Sequence, residues 1–115
     1  MVAIINDQII EILENNDIRE LSTNEQDGEL VSELEYYSDA GEDVIIVIWH
    51  DGTKKSFIES FERYAEDFDP DEHAEMWVSH RGEGGCPSSI RELIEDADSI
   101  KEHLETTAKA LREVA

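Results

Sequence analysis

The chain has 115 residues, and its 30 Asp and Glu against nine Lys and Arg give a formal net charge of −21. This length predicts a single domain over residues 1–115. The charge excludes direct binding to nucleic acids or to anionic membranes, because like charges repel. Hydrophobic residues make up 39% of the chain, so disorder of the whole chain is not expected.

No targeting signal is recognisable at the start of the sequence. Isoleucines occur among the first thirteen residues, but Asp7, Gln8 and Glu11 interrupt them and no basic segment precedes them. No run approaches the roughly 20 apolar residues of a membrane span. The single cysteine, Cys86, has no partner for an internal disulfide, which is typical of a reducing compartment. We therefore expect a cytoplasmic protein.

The first forty residues predict two helices. Residues 6–16 predict the first, with Asn6 as its cap and an apolar face of Ile5, Ile9, Ile12 and Leu13. Residues 22–28 are polar and predict a connection. Residues 29–38 predict a second helix, because three apolar residues recur there at helical spacing: Leu30, Leu34 and Tyr37.

Residues 43–49 predict a strand, since they are β-branched and aromatic and too few for a helix. Asp51-Gly52 is a preferred pair for a type I′ turn, so residues 53–57 are expected to return as the second strand of a hairpin. Every position from 44 to 49 is apolar. We therefore expect both faces of this strand to be covered, one by helices and the other by further protein, for which a second subunit is a candidate.

The second half of the chain predicts further helices. A capping box at residues 56–59 starts one whose apolar stripe is Phe57, Phe61, Tyr64 and Phe68. Asp69-Pro70 starts the next helix, whose predicted core side carries Ala74, Trp77 and Val78. After a Gly-rich loop at 82–86, a final helix carries the near-heptad stripe Ile90, Leu93, Ala97, Ile100, Leu104, Leu111 and Val114.

Whether the final helix is continuous stays open, because Thr107 interrupts its stripe and Ser99 is a candidate cap for a new start. The predicted fold class is α+β. It is a helix-rich single domain with one β-hairpin, at about residues 43–57, packed against four to six helices.

Three segments resemble chemical sites, and none of them matches its motif fully. Residues 67–72 look like the start of a calcium loop, but Glu72 stands where Gly is needed and Val78 where a bidentate acid is needed. Helix capping explains them better. Cys86 opens a helix, as in a monothiol redox motif, but it follows a Gly-rich loop rather than a strand.

A zinc site is also unsupported, since the spacing of His73, His80 and Cys86 matches no standard site. His50 and His103 complete the histidines, and no nucleophile–base pair can be identified from the sequence. We therefore expect no cofactor, no metal and no enzymatic activity.

The acidic residues remain as the main signal. Residues 59–75 hold eight acids and one base, Arg63. Solubility alone explains many acidic helix faces. Carboxylates on successive helical turns lie ~5–6 Å apart, a spacing of similar order to that of DNA phosphates, so such a helix is also able to imitate DNA. The candidate binding patch is Glu59, Glu62, Glu66, Asp67, Asp69, Asp71, Glu72 and Glu75.

Part of the sequence resembles a known group. The segment Asp51-Gly52-Thr53, the run FERYAEDFDPDEHAEMWV at 61–78 and the run PSSIRELIEDA at 87–97 carry the resemblance. They are similar to small acidic proteins of unassigned function carried on bacterial phages, plasmids and integrative elements. The resemblance lies within residues 51–104 and implies no catalytic residues. It implies a mobile-element context, in which many small acidic proteins block restriction or CRISPR nucleases.

Three functions follow as hypotheses. The leading one is a non-enzymatic acidic interaction protein of a mobile element, an anti-restriction or anti-CRISPR-like DNA mimic whose partner is a basic host protein such as a nuclease or DNA-binding protein. The alternative is an assembly module that forms a homodimer through strand 44–49 or the C-terminal helix, with acidity serving only solubility. The third is an enzyme that uses Cys86 or the histidines.

Overall fold

The computed structural model describes residues 7–38, 43–79 and 90–114, without the side chains of 75–79 and 90–93. The strands form one antiparallel sheet in the order β1-β2-β3. Three of the described helices contribute to the core on one face of this sheet, and the other packs against the last helix of the chain. The α+β class is confirmed. The elements are α1 (Asp7–Asn15), β1 (Ile18–Gln26), β2 (Glu29–Tyr37), β3 (Asp43–His50), α2 (Lys54–Asp67), α3 (Pro70–Ser79) and α4 (Ile90–Arg112).

A hairpin joins β1 to β2, within a region predicted to be connection and helix. Asp27 and Gly28 both have positive φ, 54° and 83°, as a type I′ turn requires. The prediction that residues 22–28 are a connection was therefore wrong for all but the turn itself. Residues 18–26 pair with 29–37 along their length, with an irregularity between Glu20 and Ser22.

The predicted helix at 29–38 is the central strand β2. Leu34 and Tyr36 are buried while Glu33 and Tyr37 are exposed, as expected for the two faces of a strand. Glu35 lies on the same face as Glu33 and Tyr37 but is buried, and it pairs with Arg19. Tyr37 is 60% exposed, although helical spacing had placed it inward. The error arose because Leu30 and Leu34 satisfy both the helical and the strand period.

The predicted return strand at 53–57 is the beginning of α2. Asp51 and Gly52 do not form a hairpin turn, since of these two only Gly52 has a positive φ, 93°. Thr53 caps the helix by accepting a hydrogen bond from the backbone N–H of Ser56 at 3.2 Å. The helix therefore begins earlier than the capping box predicted at residues 56–59. The predicted single hairpin at 43–57 is replaced by a three-stranded sheet.

The main core lies between the sheet and the helices. The sheet contributes the buried side chains of Ile18, Leu34, Tyr36, Val44, Ile46 and Ile48. The helices contribute Ile9 and Leu13 from α1, Phe57, Ile58, Phe61 and Ala65 from α2, and Ile100, Leu104, Ala108 and Leu111 from α4. The predicted stripes of these helices are confirmed for these residues, while Ile12, Tyr64, Phe68 and Val114 are half-buried and pack against the core. Ile5, Asn6, Trp77, Val78, Ile90 and Leu93 lie outside the described residues or side chains.

The final helix is continuous from Ile90 to Arg112. Thr107, which interrupts its apolar stripe, is fully buried and donates to the carbonyl of His103 at 2.9 Å, so its hydroxyl is satisfied within the helix. Asp96 is also buried and accepts from the Ser38 hydroxyl at 2.5 Å. Among the helices of the described chain, none combines the length and apolar character needed to cross a bilayer.

Candidate binding surfaces

The predicted acidic patch divides into two groups. Glu59, Glu62 and Glu66 follow one another on one face of α2, at intervals of three and four residues. Two of them have cationic partners. Glu62 accepts from Arg112 of α4, with 2.9 Å between Oε2 and Nε, and Glu59 lies 4.0 Å from Lys55. This row is therefore partly neutralised by the protein itself.

The second group surrounds a cleft where α2 ends and α3 begins, which we name the α2–α3 cleft. Its volume is about 400 Å³. Three aromatic rings and three carboxylates line it, from Tyr64, Phe68, His73, Asp67, Asp69 and Glu72. Phe68 and His73 contact each other with ring centroids 5.3 Å apart. Here the chain brings acids and aromatic rings together across the break between two helices.

The carboxylates of the cleft differ in the hydrogen-bond and ion-pair partners that the protein gives them. Asp69 caps α3, with Oδ1 accepting from the backbone N–H of Asp71 at 3.0 Å and of Glu72 at 3.4 Å. This confirms the capping interpretation of the segment. Asp67 and Glu72 are exposed, and among the described side chains no Lys or Arg pairs with either. Lys101 lies nearby, but it donates to the backbone carbonyls of Ala65 and Glu66.

The walls of the cleft are partly desolvated. Burial raises the pKa of Tyr64, so its phenol stays neutral at physiological pH. Burial lowers the pKa of His73, and the negative charge of Asp96 opposes that shift. A cation that enters such a site gains both the carboxylates and the faces of the rings. The α2–α3 cleft is thus chemically suited to a Lys or Arg side chain.

Of the eight predicted residues, three line the α2–α3 cleft: Asp67, Asp69 and Glu72. Asp71 is exposed in the first turn of α3, and the side chain of Glu75 lies outside the description. The aromatic residues of the cleft were missed as binding residues. Tyr64 and Phe68 were assigned only to a core stripe, yet both are half-buried rather than buried, since they lie at the open end of that stripe.

The second candidate surface is the outer face of the sheet, which faces away from the core. Ile45, Val47 and Trp49 of β3 are 43%, 40% and 43% exposed, whereas the intervening side chains are buried. Val31 of β2 lies opposite Trp49 and is half-buried. The expectation that helices cover one face of this strand is confirmed. In the part of the chain that the structure describes, the other face is open.

Carboxylates lie beside this apolar row. Glu33 is opposite Val47, and Glu35 is opposite Ile45. Arg19 of β1 forms an ion pair with Glu35 of β2. The pKa of Asp43 is raised, through partial desolvation and the negative charge of Glu35. The outer face therefore combines an apolar centre with an acidic surround.

A buried serine–histidine pair lies on the opposite, inner face. Ser32 Oγ and His50 Nε2 are 2.8 Å apart. The backbone N–H of Gly52 donates to Nδ1 of His50 at 3.1 Å, so the neutral ring carries its proton on Nε2 and donates to Ser32. Thr23 extends this hydrogen-bonded network. Its Oγ1 lies 2.8 Å from Ser32 Oγ and donates to the carboxylate of Glu20. Nε2 is thus not free to take the serine proton, and the pair has the geometry of a structural network.

No group of three or more potential metal ligands occurs among the described residues. His80 and Cys86, which the sequence placed near His73, lie outside that part of the chain. Comparisons with protein-family models, with curated proteins and with solved structures gave no match for this chain.

Proposed function

We propose that this protein is a non-enzymatic, acidic interaction protein that binds a basic protein by offering carboxylates in place of nucleic-acid phosphates. The observation that carries the proposal is the α2–α3 cleft. There, Asp67 and Glu72 stand beside aromatic rings without a cationic partner among the described side chains. A partner that normally binds DNA supplies Lys and Arg, which are the side chains that suit this cleft.

Electrostatics supports a basic partner over other classes. A net charge of −21 on 115 residues is well beyond the magnitude of about 2–8 that keeps a small domain soluble. Such a charge raises the association rate with a cationic partner and suppresses contact with anionic ones. Inhibition of a nuclease or DNA-binding protein of the host is the role in which these properties are useful, as in the products of mobile elements.

The test is a pull-down from bacterial lysate on the immobilised protein, at about 0.1 M and about 1 M salt. We expect a nuclease or another basic DNA-binding protein, recovered at low salt and lost at high salt. The purified partner should then release labelled DNA when the acidic protein is added. Recovery of partners whose binding does not depend on salt, or a partner that keeps its DNA, contradicts the proposal.

A second candidate function is an assembly module, favoured by the exposed apolar row Ile45, Val47 and Trp49. An interface built on that row would give a homodimer that persists or tightens as salt rises. Sedimentation velocity at the same two salt concentrations distinguishes the two functions. A monomer at both concentrations removes the assembly module from consideration.

A further inference from the structure

The outer face of the sheet has the composition of a protein-binding surface. Three large apolar side chains, Ile45, Val47 and Trp49, lie in a row on β3, and each exposes at least 40% of its area. Leu21 of β1 is exposed to 43%. In the described sheet order β3 is an edge strand. Exposed apolar rows on edge strands favour association, and proteins usually protect them with charge or by covering them.

The charges around this row indicate which partner fits. By strand register the outer face also carries Arg19, Glu29, Glu33, Glu35 and Asp43. Four of these five groups are acidic, and the one base is already paired with Glu35. The pKa of Asp43 is raised, first by desolvation and then by the negative charge of Glu35, which disfavours ionisation of Asp43. A cation placed between them would relieve this repulsion.

The apolar row and its acidic surround favour a basic partner over a second copy of the chain, a nucleic acid or a membrane. A second copy of the chain would bring two acidic surrounds together and join two molecules that each carry a charge of −21. Nucleic acids and anionic membranes are repelled for the same reason. In an extended segment that alternates apolar residues with Lys or Arg, all the apolar side chains lie on one side and can contact the row. The long, flexible Lys and Arg side chains start on the other side and reach around the backbone towards the carboxylates that flank the row.

We propose that the outer face of β2 and β3, centred on Val47, binds a segment of a basic protein in which apolar side chains alternate with Lys or Arg. This inference rests on the proposed function, since it assumes a basic partner, and it adds a second contact surface. The α2–α3 cleft supplies attraction for cationic side chains. The outer face adds selection for apolar side chains, because burial of Trp49 and Val47 stabilises only a complex that covers them.

The test uses two short synthetic peptides of equal charge, one alternating Lys with Val and the other alternating Lys with Ser. Binding is measured by fluorescence anisotropy of the labelled peptides. We expect the Lys–Val peptide to bind at least about tenfold more tightly than the Lys–Ser peptide. In the ¹H–¹⁵N spectrum of the protein, the Lys–Val peptide should shift the amide signals of residues 43–49.

Val47→Asp is the informative variant, because it removes an apolar contact while adding a negative charge. We expect this variant to weaken the binding of the Lys–Val peptide about tenfold and not to weaken the binding of the Lys–Ser peptide. Ile94→Asp is the matched control, since Ile94 of α4 is 46% exposed and lies away from the sheet face. It should change neither affinity. Val47→Ser provides the same test of apolar contact if the aspartate variant does not fold, as judged by circular dichroism.

The outcomes separate this inference from the proposed function. Equal, salt-sensitive binding of both peptides overturns the docking face and leaves the acidic function standing. Binding of neither peptide contradicts both proposals. If the wild type is a dimer and the Val47→Asp variant is a monomer, the outer face binds a second copy of the chain. That result also overturns the inference.

Discussion

Ser32 Oγ and His50 Nε2 lie 2.8 Å apart on the buried face of the sheet, and this bond joins the central strand β2 to the edge strand β3. Both residues are nearly inaccessible to solvent. The backbone of Gly52 occupies the other ring nitrogen, so the histidine acts here as a neutral linker between the sheet and the turn that starts α2. The consequence is a dependence of stability on protonation.

The pH dependence of stability should change when His50 is replaced. Burial lowers the pKa of His50, and the charges of Asp51 and Glu20 only partly oppose this. The unfolded chain therefore binds the proton more readily than the folded chain. The stabilisation from the neutral ring is complete above the ordinary pKa of histidine, and it is lost as the pH falls from there through the lowered value.

The measurement is the free energy of unfolding from urea titrations of the wild type and His50→Gln. Near pH 8 the variant should be less stable by about 1–2 kcal/mol, since it loses buried hydrogen bonds. Between pH 7 and pH 5 the difference should shrink. Comparing two proteins at each pH cancels the effect of titrating the many surface carboxylates. A difference that stays constant with pH contradicts the assigned role of His50.

The bond between Ser38 and Asp96 provides a second test, on the packing of α4. Its oxygen atoms are 2.5 Å apart and both residues are buried. Ser38→Ala removes a donor from a buried carboxylate, and a loss of about 1–3 kcal/mol in the free energy of unfolding is expected. Thr106→Ala, at an exposed position of α4, is the control and should change stability by less than about 0.5 kcal/mol. Equal effects of the two variants would show that the bond contributes nothing specific.

The glycines of the two Asp-Gly pairs should respond differently to substitution. Gly28 and Gly52 both have positive φ, 83° and 93°, so Ala at either position is strained by about 1 kcal/mol. A Cβ at Gly28 meets no atom within 4 Å, whereas at Gly52 it lies 3.1 Å from Cδ1 of Leu30. Gly52→Ala should therefore be the more destabilising variant in urea titrations. A larger effect of Gly28→Ala would contradict this ranking.

The two Asp-Gly pairs also show what the sequence predicts and what it does not. Both pairs suit a type I′ turn, yet only Asp27-Gly28 forms one. After Asp51-Gly52, the cap formed by Thr53 and Ser56 favours a helix instead. In β2, Leu30 and Leu34 fit two periods, and pairing with β1 and β3 decides between them. Local patterns predicted β3 from its β-branched and aromatic composition, and most of α2 and α4 from apolar residues that recur at helical spacing.

The candidate surfaces depend even more on contacts distant in sequence. The acids of α2 were predictable from composition, but the neutralisation of Glu62 depends on Arg112, fifty residues later. The aromatic walls of the α2–α3 cleft depend on the angle at which two helices meet. The exposure of Trp49 depends on which face of the sheet the helices cover, and a uniformly apolar strand carries no signal for that choice.

The α2–α3 cleft should bind cationic peptides through the carboxylates that have no described partner. Replacing Asp67 by Asn and Glu72 by Gln removes two charges while keeping the size of the side chains. We expect this double variant to bind the alternating Lys–Ser peptide about tenfold more weakly than the wild type at about 0.1 M salt. At about 0.5 M salt the loss of affinity should be much smaller, because salt screens exposed charges.

The matched control for the cleft removes the same number of charges elsewhere. Glu102→Gln combined with Glu105→Gln changes two exposed carboxylates of α4. Because general attraction to a net charge of −21 is nearly the same in both double variants, a larger loss in the cleft variant isolates the local contribution. Equal losses would mean that the cleft binds cations no better than the rest of the acidic surface. The aromatic rings of Tyr64 and Phe68 would then serve packing alone.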